Sequence, residues 1–185
     1  MNIKCVVTGY LDENCYILSK NGYCLVVDPG DDFLKIKEAI GDDKVLGVLI
    51  THSHADHIGA LRNFLTKRSI KIFKRSNLEE KEYTCGDFTF NCIYTPGHSK
   101  DSVTFYFAED NSMFIGDFVF KDSIGRVDLP GGSSSEMEDS IKKILLYNDD
   151  IVLYPGHYEC TTLGYEKKNN PYLKWLFFYW FYVII

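Results

Sequence analysis

The stretch Thr51-His52-Ser53-His54-Ala55-Asp56-His57 constrains this chain more than any other part of it. It follows Val45 to Ile50, a near-continuous apolar run of the kind that forms a strand buried on both faces. Three imidazoles and a carboxylate fall within His52 to His57. In a strand, His52, His54 and Asp56 would share one face and His57 would point away, whereas a turning loop can aim all of them at two neighbouring cations. Gathering so many ligand-type side chains without a cation has little structural benefit, so the run predicts a metal site at a strand-to-loop exit.

The remaining histidines sit at the same kind of position. His98 follows Thr95-Pro96-Gly97 after the strand-like run Phe88 to Tyr94, and His157 follows Tyr154-Pro155-Gly156 after Ile151 to Tyr154. Asp117 follows Ile115-Gly116 at another such exit. Alone, each would read as a surface histidine or a turn. Together they place all five histidines of the chain, with Asp56 and Asp117, at loops that leave strands.

Around these loops the chain predicts a mixed α/β domain in which helices cover sheets. Residues 2 to 8, 14 to 18 and 23 to 28 read as antiparallel strands, with a hairpin turn at Asn21-Gly22. Asp28-Pro29-Gly30 stops the third strand, and Phe33, Ile36, Lys37 and Ile40 follow at helical spacing up to Gly41. A helix is expected from Ile58 to Lys67. Further strands are expected at Ile70 to Phe73, Phe88 to Tyr94, Val103 to Phe107, Met113 to Ile115 and Ile151 to Tyr154, and helices at Glu136 to Leu146 and Gly164 to Asn170.

A length of 185 residues suits one core, and 45% apolar residues are enough to fill it. The net charge of −6 is spread without a long run of one sign, which argues against nucleic acid as a partner and leaves a small-molecule substrate. Residues 1 to 20 show no secretory leader pattern, and the expectation is a cytoplasmic protein. No pair of the six cysteines has C-x-x-C spacing, so buried free thiols are expected. From Leu173 to Ile185 only Lys174 interrupts an apolar and aromatic run. It is too short for a membrane span, and it divides the chain into a domain over 1–172 and a tail over 173–185 that could pack on the body or join two copies as a homodimer.

Thr51-His52-Ser53-His54-Ala55-Asp56-His57-Ile58-Gly59, Thr95-Pro96-Gly97-His98-Ser99, Gly116-Asp117 and Pro155-Gly156-His157 together resemble the metallo-β-lactamase superfamily. The likeness runs from Val26-Val27-Asp28-Pro29-Gly30 to Asn170-Pro171. Gly125-Arg126-Val127-Asp128-Leu129-Pro130-Gly131-Gly132, with Thr161-Thr162-Leu163-Gly164 and Glu166, is similar to the glyoxalase II-like branch. The resemblance implies a four-layer αββα sandwich with the site at one edge of its sheets. It implies that His52, His54 and His98 hold one metal, that Asp56, His57 and His157 hold a second, and that Asp117 bridges them.

Nitrogen and carboxylate ligands without thiolate suit zinc first, and also iron or manganese. Two such cations lower the pKa of a shared water to give a hydroxide nucleophile and polarise a carbonyl. A thioester of the S-lactoylglutathione type fits, because a thiolate leaves without a strong general acid. Asp56 would orient the attacking oxygen as well as bind metal. Lys121 and Arg126 are either contacts for a substrate carboxylate or solvated loop charges, and Tyr158 either lines the pocket or packs. Asp28 is either a turn residue, the favoured reading, or a hydrogen-bond partner of a metal ligand. Alternatives within the same resemblance are a mononuclear-iron persulfide dioxygenase and a lactonase or other hydrolase. A non-catalytic redox carrier would need a flavin partner, and no Gly-rich flavin or dinucleotide motif is present.

Overall fold

The computed structural model describes residues 1–66, 69–174 and 176. Its first sheet begins as an antiparallel meander of β1 (Asn2–Thr8), β2 (Glu13–Lys20) and β3 (Tyr23–Val27). Asn21 and Gly22 both take positive φ, 54° and 77°, the conformation a two-residue hairpin needs. α1 (Phe33–Ile40) then carries the chain over the sheet, so that β4 (Lys44–Leu49) returns parallel to β3 and β5 (Lys71–Phe73) lies parallel to β4. The order is β1-β2-β3-β4-β5.

The second sheet continues with β6 (Glu82–Cys85), β7 (Phe88–Tyr94), β8 (Val103–Phe107) and β9 (Ser112–Gly116), all antiparallel. A short hairpin of β10 (Val119–Phe120) and β11 (Ser123–Ile124) stands apart. α3 (Ser134–Ile144) is the crossover that makes β12 (Val152–Pro155) parallel to β9, and β13 (Thr161–Thr162) and α4 (Leu163–Asn169) follow. The order is β13-β12-β9-β8-β7-β6.

Strand alternation builds three apolar layers from this chain, and therefore four layers of secondary structure. On β2, Tyr16 and Leu18 face inward to meet Phe90, Phe105, Phe107 and Phe114 of the second sheet, while Cys15 and Ile17 face outward to Ile36 and Ile40 of α1. On β9 the same alternation sends Phe114 between the sheets and Met113 and Ile115 outward to Met137, Ile141 and Ile144 of α3. The middle layer is built on edge-on aromatic pairs such as Phe107 with Phe114, 5.6 Å between ring centres. Each such fully buried side chain contributes about 1.5–3 kcal/mol relative to exposure. The four-layer αββα order is the one expected.

Local structure departs from expectation in the helix after β4 and at two of the cysteines. The helix expected over Ile58 to Lys67 is instead the four-residue α2 (Ala55–Ile58) and a 3-10 turn at Leu61–Asn63. The Ala60 amide, which would continue the ladder, bonds to the carbonyls of Pro29 and Gly30, each at 3.0 Å. Tertiary contact thus ends the helix; Lys67 lies outside the described residues. Cys15, Cys24, Cys85 and Cys92 are buried as expected, but Cys5, on the edge strand β1, and Cys160, in a loop, are exposed. The apolar tail reaches the described residues only at Leu173, Lys174 and Leu176, with both leucines buried against the α3 layer. Its remainder, and the dimer contact expected of it, lie outside them. Among the described residues no helix is long and apolar enough to cross a membrane.

Candidate metal centre

The loop after β4 turns His52 and His54 toward His98, which the β7–β8 loop brings in from the second sheet. His52 Nε2 and His98 Nε2 lie 3.1 and 2.9 Å from His54 Nδ1. Beside this triad is a second one, formed by Asp56 and His57 on α2 and by His157 after β12. Asp56 Oδ2 is 3.3 Å from His157 Nε2 and 3.8 Å from His57 Nε2. Within each triad the facing atoms lie within 4.8 Å of one another.

Asp117 stands between the triads. Its Oδ2 is 3.5 Å from His98 Nε2 and 3.7 Å from His157 Nε2, and its Oδ1 is 3.4 Å from His57 Nε2. These last two atoms, Asp117 Oδ1 and His57 Nε2, are buried without a hydrogen-bond partner. A donor nitrogen and a carboxylate oxygen buried this way cost free energy unless something binds them. Oxygen and nitrogen atoms converging on two points fit a pair of divalent cations.

The outward-facing nitrogens fix the rings. His57 Nδ1 lies 3.0 Å from Asp28 Oδ2, His98 Nδ1 2.8 Å from the Arg126 carbonyl, and His157 Nδ1 3.1 Å from the Leu11 carbonyl. His52 Nδ1 meets Thr51 Oγ1 at 3.1 Å. That hydroxyl donates to Asp28 Oδ2, so its free lone pair accepts from His52. Each of these four rings therefore spends one N–H on the protein, which leaves its other nitrogen facing the centre. Asp28, His52 and His57 also cluster, but the Asp28 carboxylate is already filled by Thr51 and His57.

Charge in the site is sorted by surroundings. Burial, reinforced by the charge of His57, holds the His52 pKa well below its ordinary value, and burial holds His98 down as well. Burial also opposes the charged form of His57, yet the carboxylates of Asp117 and Asp28 outweigh it and raise His57 well above the usual range. For Asp117, burial is outweighed by His57, His52 and His157, and its carboxyl stays well below the usual range. Glu13, 1% exposed, is pushed up to about 9 by burial and by the charge of Asp28.

The structure thus brings His52, His54, Asp56, His57, His98, Asp117 and His157 to one place. Lys121, Arg126 and Tyr158 line the cleft of about 830 Å³ that opens above them. Lys121 already pairs with Glu159 at 2.8 Å and Arg126 with Asp128 at 2.9 Å. Of the two readings of Asp28, the less favoured one holds: its carboxylate is a hydrogen-bond partner of His57. Glu13 and Asn14 were not singled out by sequence, although a polar pair ahead of the apolar run Cys15 to Leu18 in β2 is a visible signal. Asn14 Nδ2 donates to the carbonyls of Pro155 at 3.1 Å and Tyr158 at 2.8 Å, so the first sheet grips the loop that carries His157.

A family model described as the metallo-beta-lactamase superfamily matches residues 8–90 and 74–157. The hydroxyacylglutathione hydrolase GloC of Haemophilus influenzae is 29% identical over 211 residues, covering 94% of this chain and 99% of that protein. Among solved structures, the BLEG-1 B3 metallo-beta-lactamase is 30% identical with a TM-score of 0.88, covering 93% of this chain and 99% of that one. TTHA1623 in a di-iron-bound form is 29% identical with a TM-score of 0.81, covering 92% and 100%.

Proposed function

This chain belongs to the metallo-β-lactamase superfamily, and from that premise we propose that it is a two-metal hydrolase of hydroxyacyl thioesters of the S-lactoylglutathione type. The observation that carries the proposal is Asp117, set between two ligand triads and leaving Oδ1 and His57 Nε2 buried and unpartnered. The name of the Haemophilus influenzae relative supports the thioester. The di-iron form of TTHA1623 supports two metals and keeps iron beside zinc as a candidate.

His52, His54 and His98 would hold one cation and Asp56, His57 and His157 the other, with Asp117 shared. When bound, two such cations supply Lewis acidity for a carbonyl oxygen and acidify a water. Asp56, partly exposed at the cleft floor, would orient the attacking water. Lys121 and Arg126 would meet a substrate carboxylate at the rim, in exchange for Glu159 and Asp128. His57 and His98, fixed through Asp28 and the Arg126 carbonyl, keep the ligand cage from reorganising as charge builds on the substrate.

The test pairs metal analysis with turnover. Two metals per chain and saturable thiol release from S-lactoylglutathione are expected. No turnover above buffer by the fully loaded protein would sink the thioesterase assignment, and one iron per chain with oxygen uptake would replace it with an oxygenase.

A further inference from the structure

Among the described residues, seven non-glycine residues have positive φ, and six of them are Asp or Asn, whose short polar side chains tolerate that region. The seventh is Tyr158, at φ 66°. An aromatic residue there is strained where a glycine would not be. Burial does not offset the strain, since Tyr158 is 76% exposed. The backbone conformation is imposed from the other sheet: Asn14 Nδ2 donates to the Tyr158 carbonyl, and the Asn14 amide donates to the Gly156 carbonyl at 2.7 Å.

What the ring touches is the mouth of the metal centre. Tyr158 meets Phe120 edge-on with 5.3 Å between ring centres, and Phe120 is 6.3 Å from the ring of His157. Leu11, 48% exposed on the β1–β2 turn, sits over the same cleft and holds His157 through its carbonyl. Two exposed apolar side chains, Leu11 and Tyr158, flanking a half-buried Phe120 beside His157, with a strained aromatic among them, mark a contact surface rather than a packing accident.

We propose that Tyr158, with Phe120 and Leu11, forms an apolar clamp that selects 2-hydroxyacyl thioesters carrying an aryl group on the hydroxyacyl carbon. The proposal rests on the hydrolase assignment above and narrows its substrate. In the reaction, the oxygen of water joins the acyl carbon, the C–S bond breaks, the sulfur leaves with the bonding pair and takes up a proton, and a 2-hydroxy acid and a thiol are released. The aryl edge would pack against Tyr158 and Phe120, an arrangement aromatic side chains favour.

The experiment compares S-mandeloylglutathione with S-lactoylglutathione, which differ by phenyl in place of methyl, on the zinc-loaded wild type, Tyr158→Gly and Tyr158→Phe. The wild type should prefer the mandeloyl ester in kcat/KM. Tyr158→Gly should lower that preference about tenfold, mainly through KM, and Tyr158→Phe should keep it. The melting temperature of Tyr158→Gly should be no lower than that of wild type. An unchanged preference in Tyr158→Gly overturns the clamp. Calorimetric binding of mandelate against lactate reads the same surface without turnover. If neither ester is hydrolysed, tighter mandelate binding that is lost in Tyr158→Gly still upholds the clamp, and equal binding of both acids by wild type overturns it.

Discussion

Asp28 Oδ2 lies 3.0 Å from His57 Nδ1, and the same carboxylate takes the backbone amide of Thr51 at 2.7 Å and its hydroxyl. One carboxylate therefore orients His57 directly and His52 through Thr51. Asp28→Asn replaces an acceptor by a group that presents N–H to donors. Metal affinity at the Asp56, His57 and His157 triad should fall by roughly 10–100-fold, measured by competition with a chelator. Unchanged affinity would remove Asp28 from the account of the site.

The two triads should empty in order as pH falls. His57 is raised well above 6.5, because Asp117 and Asp28 outweigh the effect of burial, so the metal-free protein keeps a proton that a cation at Nε2 must displace. His52 and His98 are held below 6.5, first by burial, and meet a cation already deprotonated. Below the raised pKa of His57, binding at its triad should weaken by about 1.4 kcal/mol for each pH unit per proton displaced. The sign in folding is separate: a raised His57 stabilises the metal-free protein fully below 6.5 and loses that contribution as pH rises through the folded value. Metal per chain after dialysis across a pH series should pass from two to one before zero. Loss of both metals in one step would contradict the ordering.

What the sequence made legible was whatever rests on local pattern. The apolar runs of β2, β4 and β7, the Asn21-Gly22 turn and the spacing in α1 each encode their element through neighbours a few residues away. Candidate ligand positions were legible because strand exits place them together. The strand Glu82–Cys85 was not, since its ladder partners from Phe88 to Asn91, rather than any alternation of its own, make it a strand. The early end of α2 depends on Pro29 and Gly30. The role of Asp28 depends on His57, far along the chain, while Asp-Pro-Gly announces only a turn. Long-range hydrogen bonds leave little mark on local composition.

Gly156 precedes His157 where the backbone passes close to the centre. A methyl group there would overlap Asp117 Oδ1 and come within 2.5 Å of His57 Cε1. Gly156→Ala should therefore push aside the shared carboxylate and one ligand of the second triad. The expected outcome is fewer than two metals per chain, kcat lower by about 100-fold, and a folding cost of about 1–3 kcal/mol. Metal analysis and denaturant unfolding check these together; full metal content with unchanged kcat would show that the site yields more easily than its packing implies.

Glu166 and Asn170, both fully buried, tie the β10–β11 hairpin to α4 without touching a metal ligand. Glu166 accepts from Thr161 Oγ1 at 2.5 Å through one oxygen, and from the Asp122 amide at 3.0 Å and Asn170 Nδ2 at 2.8 Å through the other. Asn170 Nδ2 also donates to the carbonyls of Ser123 at 2.8 Å and Phe120 at 3.3 Å. With partners that all donate, only a carboxylate satisfies the arrangement, and Glu166→Gln must aim an NH₂ at one of them. That change should cost about 1–3 kcal/mol, and a chain of this size loses about 2–4 °C in melting temperature for each kcal/mol. Because Phe120 and Lys121 ride on the hairpin and line the cleft, KM for S-lactoylglutathione should rise more than kcat falls, with two metals per chain retained. Hydrogen exchange should quicken at residues 119–124. If exchange there stays at the wild-type rate, Glu166 does not hold the hairpin, and the wall of the cleft must be fixed by its own packing on Val119 and Phe118.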